Sequence, residues 1–194
     1  MGKELEVKFG CTNIPEAMEA LEAAYSGQWE TVVMASTYFD TSRHDLANRR
    51  WTLRLREENG IQIITCKTPG EKGARNEWEA PAADLTEGIR LLLDMGAPAN
   101  LTSLYQQGLK PVCGARFTRK RRPITEGFGE AELALDEGIL TGGNRELFFR
   151  EIEVELKGGD EGAFLSWCQA FRKRYDLTPE KKSKYARAAA LREG

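Results

Sequence analysis

Glu4-Leu5-Glu6-Val7-Lys8-Phe9, near the start of the chain, and Glu151-Ile152-Glu153-Val154-Glu155-Leu156-Lys157, near its end, alternate charged and apolar residues without a break. Period two is the periodicity of a β-strand, whose successive side chains point to opposite faces. The first stretch therefore sets Glu4, Glu6 and Lys8 against Leu5, Val7 and Phe9, and the second sets three carboxylates against aliphatic residues. Same-face neighbours lie roughly 7 Å apart along a strand. At an effective dielectric of about 20, two such carboxylates repel by about 2 kcal/mol. If both strands face one interior, Glu4, Glu6, Glu151, Glu153 and Glu155 converge there. Their summed repulsion is comparable to a domain's whole stability of roughly 5–15 kcal/mol. Either these faces meet water or a cation sits between them, and all-oxygen ligation by carboxylates suits hard Mg2+ or Mn2+.

The basic residues follow the same parity. Thr52-Leu53-Arg54-Leu55-Arg56 places Arg54 and Arg56 together, Lys67 ends the strand-like run from Ile61, and Arg119 and Arg121 share a face. Glu77 and Glu79 repeat the device with Trp78 on the reverse side, and so do Glu130 and Glu132. Strands are expected over residues 4–9, 36–41, 52–57, 61–67, 75–80, 113–121, 129–135 and 148–157, about eight in all and enough to close a barrel. Helical spacing covers residues 14–25, 84–95, 160–175 and 179–192, with Pro, Gly and Thr at their ends. A closed barrel with a charged lumen, its apolar outer face jacketed by helices, reconciles these patterns. Arginine forks and lysine ammoniums can then clamp phosphate oxygens that a carboxylate-bound metal also bridges. The alternative is a set of ordinary amphipathic strands with wet outer faces. It serves for any one strand, but less well for matched charges on five or six.

Composition narrows the remaining classes. With 194 residues, 41% hydrophobic and 30% charged, the chain reads as one soluble domain over residues 1–194. No apolar run is long enough for a membrane span. The first residues show no secretory signal, which sets a cytoplasmic expectation. A net charge of −2 gives no nucleic-acid signal. Cys11, Cys66, Cys113 and Cys168 are scattered singly, without the pairing a zinc site needs. The one histidine, His44, sits in a polar Ser-Arg-His-Asp stretch that reads as a solvated loop.

The Glu4-x-Glu6-x-Lys8 motif resembles the E-x-E-x-K signature of the CYTH, or triphosphate tunnel metalloenzyme, family, and matches follow in order along almost the whole chain. They are Tyr38-Phe39-Asp40-Thr41, Leu53-Arg54-Leu55-Arg56, Lys67, Glu77-x-Glu79, Arg119 with Arg121, Leu135-Asp136-Glu137-Gly138, the Glu151–Lys157 run and Ser183-Lys184. The resemblance implies an α+β fold, an eight-stranded antiparallel β-barrel or tunnel with flanking helices. It also implies dependence on Mg2+ or Mn2+ and hydrolysis of a small-molecule triphosphate. On that reading Glu4 and Glu6, with Glu151, Glu153 or Glu155, hold the metal, and Glu4, Glu6 and Lys8 form the catalytic set. Lys8, Arg54, Arg56, Lys67, Arg119, Arg121 and Lys184 grip the phosphate chain. The pattern is most similar to bacterial inorganic triphosphatases, acting on tripolyphosphate or on another triphosphate such as ATP. Thiamine triphosphatase, a class IV-type adenylate cyclase and a non-catalytic polyphosphate- or nucleotide-binding module are the alternatives. Against the first, Trp51 stands three residues before Arg54, so alternation turns its ring outward. No nucleic-acid or membrane partner is expected, and the oligomeric state is not legible.

Overall fold

The computed structural model describes residues 2–3, 5–10, 14–70 and 75–192. Glu4 and Cys11 lie outside the described residues. The strands are β1 (Gly2–Lys3), β2 (Leu5–Gly10), β3 (Glu30–Asp40), β4 (Thr52–Glu58), β5 (Ile61–Pro69), β6 (Arg75–Pro81), β7 (Lys110–Glu126), β8 (Gly129–Gly142), β9 (Arg145–Gly159) and β10 (Thr178–Pro179). Between them run α1 (Ile14–Ala24), α2 (Asp45–Asn48), α3 (Leu85–Asp94), α4 (Leu101–Gln106), α5 (Glu161–Arg174) and α6 (Lys184–Ala190). All pairings are antiparallel, in the order β1-β6-β5-β4-β3-β7-β8-β9-β2-β10.

The N-terminal stretch brings the two ends of this sheet together. Gly2 and Lys3 pair with β6, whereas Leu5 to Phe9 pair with β9 at the opposite end of the order. Three residues of chain reach at most about 11 Å, so the sheet curls round a lumen. Alternation then assigns the faces. Phe9, Leu133, Ile152 and Val154 point outward into a core shared with Leu21 of α1 and with Phe164 and Phe171 of α5. Leu53, Ile64, Cys66 and Trp78 point outward beneath Leu92 of α3 and beneath Leu101 and Leu104 of α4. Trp51 packs in this second outer cluster, as its position in the alternation predicts.

A third cluster lies on the inner side. Val32, Met34, Tyr38, Ala115, Phe117, Leu140 and Phe149 enclose Ala188 of α6, with Tyr185 and Leu191 packed against them. The helix therefore plugs part of the barrel interior. It approaches so closely that a Cβ added to Gly142 would stand 2.1 Å from the Ala188 carbonyl oxygen. The helix expected over residues 179–192 is correspondingly shorter. Thr178 and Pro179 pair instead with Gly10 and Phe9, Glu180 N–H donates to the Lys8 carbonyl at 2.9 Å, and Ser183 caps a helix that starts at Lys184. The short helices α2 and α4 carry too few turns for periodicity to reveal them.

Asp40, in the Tyr38–Thr41 motif, has a structural task. Its carboxylate accepts from the backbone N–H of Thr41 and Leu46 at 2.8 Å and of Ala47 at 3.1 Å, which fixes the turn into α2. It is 1% exposed, so truncation orphans buried donors. Asp40→Ala is expected to cost about 2–4 kcal/mol, read by urea denaturation. A loss below about 1 kcal/mol would mean that the turn finds other acceptors.

Candidate functional site

The inward faces of the strands line a cavity of about 1660 Å³. Its wall takes in Glu6, Lys8, Arg54, Arg56, Lys67, Arg119, Arg121, Glu153, Glu155 and Lys184. Of the residues singled out from the sequence, Glu4 lies outside the described residues, and Glu151 sits fully buried behind the wall.

Register decides which of these meet. Glu6 stands opposite Glu155, and Glu155 opposite Glu132, so three carboxylates cross neighbouring strands in one row. The next row runs Lys8, Glu153, Ala134, Arg121, and the one beyond it Glu151, Asp136, Arg119. Like charges directly opposite are unfavourable, and each carboxylate of the first row that lies near a lysine is paired with it. Lys8 Nζ is 2.9 Å from Glu6 and Lys157 Nζ 2.7 Å from Glu155. A lumen of like charges held apart by repulsion is therefore not what forms; cations and carboxylates interleave. Burial works against the charge on Lys8, but Glu6, with Glu153 and Glu151, outweighs it and raises the ammonium's pKa.

The facing wall is built on β4, β5 and β6. Arg54 and Arg56 reach Glu79 at 3.8 and 3.5 Å, Arg56 also pairs with Glu58 at 3.1 Å, and Lys67 with Glu77 at 3.3 Å. Both arginines keep a buried Nε–H that no acceptor among the described residues meets. Burial first, and then the neighbouring Arg54, lower the pKa of Arg56. These are the electrostatics of a wall with donors to spare for an anion. Arg121 lies further out, shared between Glu30 at 2.9 Å and Glu58 at 3.3 Å, and Lys120 points away to Glu22 on α1.

The densest cluster is one the strand patterns left incomplete. Ligand oxygens of Asp136, Glu151 and Glu153 all lie within 4.8 Å of one another, and all three residues are buried. At that separation, and at an effective dielectric of about 20, each pair repels by about 3.5 kcal/mol. Three cations answer them. Arg119 forks onto Asp136, with Nε–Oδ1 at 2.8 Å and Nη2–Oδ2 at 2.7 Å, and also donates to Glu153. Lys184 touches all three carboxylates, and Arg187 donates to Glu151. Burial alone would raise the Glu153 carboxyl, but Lys184 and Arg119 hold it well below the usual carboxylate range. Burial pushes Glu151 up to about 7 in spite of Lys184, with Glu153 adding to the rise. Asp136 was visible in the sequence only as part of the Leu135–Gly138 motif. The parity it shares with Glu132 was the signal that could have given it a place on the wall. Arg187 carried no signal, because a helical arginine near the chain's end is ordinarily solvated.

A family model for the CYTH domain matches residues 2–189. The chain belongs to the CYTH domain family. An inorganic triphosphatase of Haemophilus influenzae is 28% identical over 143 residues, covering 68% of this chain. The CYTH chain spans only 38% of that relative's length. Among solved structures, HpAC1 from Hippeastrum, described as an adenylyl cyclase candidate with a dominant triphosphatase activity, aligns with a TM-score of 0.66 at 18% identity, covering 99% of this chain and 97% of its own. A protein from Pyrococcus horikoshii aligns at 0.64 and 21% identity, covering 97% of this chain and 99% of its own. At such identities these are likenesses of fold. The hard oxygen donors of Asp136, Glu151 and Glu153 suit a divalent metal, as a triphosphate tunnel metalloenzyme requires.

Proposed function

We propose that this CYTH domain is a metal-dependent triphosphatase that hydrolyses inorganic tripolyphosphate, or another triphosphate such as ATP, inside its charged tunnel, with Mg2+ or Mn2+ as the metal. The observation that carries this reading is one cavity lined both by the carboxylates Glu6, Glu153 and Glu155 and by Arg54 and Arg56, whose buried Nε–H groups meet no acceptor among the described residues. When bound, the metal neutralises charge on phosphoryl oxygens and polarises them. Glu6, Glu153 and Glu155, which face the cavity, would hold it, with Asp136 and Glu151 behind Glu153. Arg54 and Arg56 would clamp the phosphate chain from the opposite side, each charge-assisted contact contributing about 1.5–3 kcal/mol. Lys67 and Arg119 would extend the cation track, and Lys8 would offset the charge that grows on the leaving oxygen as water attacks the terminal phosphorus in line. Trp51, packed into the outer cluster, offers no ring to a thiazole or a base, which speaks against thiamine triphosphate.

The test is phosphate release from tripolyphosphate, ATP and thiamine triphosphate with either metal, alongside thermal melting. Tripolyphosphate with metal at a hundredfold excess over Kd should stabilise the fold by roughly 2.7 kcal/mol, a melting shift of about 5–10 °C. Monophosphate at matched ionic strength should do far less, because it cannot span both walls. Equal, small shifts together with no phosphate release would sink the proposal.

A further inference from the structure

Among the described residues, five buried side-chain polar atoms meet no hydrogen-bond partner: Ser36 Oγ and the Nε of Arg54, Arg56, Arg122 and Arg187. Two of these have an evident reason. The Arg122 guanidinium lies over the Trp29 ring at 5.7 Å and that of Arg187 over the Phe149 ring at 5.2 Å, so each is balanced by an aromatic face. The other three fall together on two neighbouring strands. Ser36 of β3 stands directly opposite Arg56 of β4, and two residues on Tyr38 stands opposite Arg54. Met34 and Tyr38, which flank Ser36 in the alternation, line the cavity, so Ser36 faces the same side, where it is covered to 6% exposure. Of its two cross-strand neighbours, Ala115 on β7 offers only a methyl group, and Arg56 offers an N–H in want of an acceptor. Residues opposite one another in an antiparallel pair have Cβ atoms about 4.5–5.5 Å apart, within reach of such a bond.

The two arginines differ in how they are held. Arg54 Nη2 donates to Thr65 Oγ1 at 3.2 Å, and Thr65 Oγ1 donates in turn to Glu79 at 2.9 Å. The contacts of Arg56 are ion pairs, to Glu58 at 3.1 Å and to Glu79 at 3.5 Å, both through Nη2. A phosphate chain that takes the guanidinium from these carboxylates also removes what aims it. We propose that Ser36 is the positioning residue of Arg56. As the phosphate chain draws the guanidinium from Glu58 and Glu79, Arg56 Nε–H turns onto Ser36 Oγ, which leaves both Nη groups aimed at phosphate oxygens. Ser36 thus does for Arg56 in the complex what Thr65 does for Arg54 in the free protein. Two buried groups that lack a partner in the free fold gain one on binding, so the bond strengthens the complex and not the fold. This rests on the triphosphatase reading above.

Ser36→Ala, with tripolyphosphate and Mg2+, tests it. Replacing an unpartnered buried hydroxyl costs the fold nothing, so without ligand the variant should melt within about 2 °C of the wild type or above it. KM for tripolyphosphate should rise about tenfold, the worth of a hydrogen bond from a charged donor, while kcat changes less than about twofold. Arg56→Lys keeps the charge but has no Nε–H, so adding Ser36→Ala to it should leave KM where Arg56→Lys alone puts it. A Ser36→Ala chain that unfolds, or melts clearly lower, overturns the proposal, because the hydroxyl then has a partner in the free fold. So does an equal rise in KM in the Arg56→Lys background. Unchanged KM in a Ser36→Ala chain that still hydrolyses tripolyphosphate overturns the positioning and leaves the triphosphatase reading intact. Should the wild type bind tripolyphosphate without hydrolysing it, calorimetric Kd replaces KM. Weakening by about tenfold in Ser36→Ala, absent beside Arg56→Lys, then supports the positioning and overturns only the hydrolysis. A wild type that neither binds nor hydrolyses tripolyphosphate overturns both.

Discussion

Glu6→Gln is expected to lower phosphate release from tripolyphosphate by about 100-fold or more, with little change in melting temperature. Glu6 faces the cavity from β2, directly opposite Glu155, and accepts a hydrogen bond from Lys8 Nζ at 2.9 Å. Glutamine keeps the shape but removes a charge that both a metal and Lys8 rely on. The side chain is 22% exposed, so its pairing with Lys8 contributes no more than about 1 kcal/mol to stability. Activity and stability should therefore separate. Steady-state phosphate release at saturating Mg2+ and Mn2+, measured beside a thermal melt, checks both. Near-normal turnover would remove Glu6 from the site.

Asp136→Ala should do the reverse of separating them. Asp136 is 0% exposed and holds Arg119 by two hydrogen bonds and Lys184 at 2.7 Å. Removing it leaves two buried cations short of a partner, and breaking a buried pair in this way costs about 3–5 kcal/mol. For a domain of this size that is a fall in melting temperature of about 10 °C, accompanied by loss of turnover because Arg119 is no longer aimed. Urea denaturation gives the stability and phosphate release the activity. Combining Asp136→Ala with Arg119→Met should cost clearly less than the sum of the two single changes, since the second removes a charge the first had orphaned. Additive costs would show that the fork does not couple these residues.

The alternation of Glu4 to Phe9 and of Glu151 to Lys157 carried most of the fold. The eight strands expected correspond to β1 with β2 and to β3 through β9, although β3, β7, β8 and β9 run well beyond the ranges first drawn. Alternation marks where two unlike faces exist, whereas a strand continues into residues that alternate poorly wherever its partner still offers hydrogen bonds, as Pro111 and Pro123 do within β7. The wall residues Arg54, Arg56, Lys67 and Arg119 were legible for the same reason: parity is a local property.

What the chain determined alone, then, was the set of strands, the face on which each charge lies and the family to which the pattern belongs. Tertiary structure decided who stands beside whom. Glu6 meets Glu155, Glu155 in turn meets Glu132, Asp136 completes the cluster with Glu151 and Glu153, and α6 enters the barrel to set Lys184 among three carboxylates. These neighbours come from distant parts of the chain and are fixed by register, by closure of the sheet through its N-terminal strand and by the packing of a short helix against Gly142. Side-chain period is blind to all three, because a strand keeps its two faces whatever lies across from it, whereas the energy of a buried charge depends on the partner opposite.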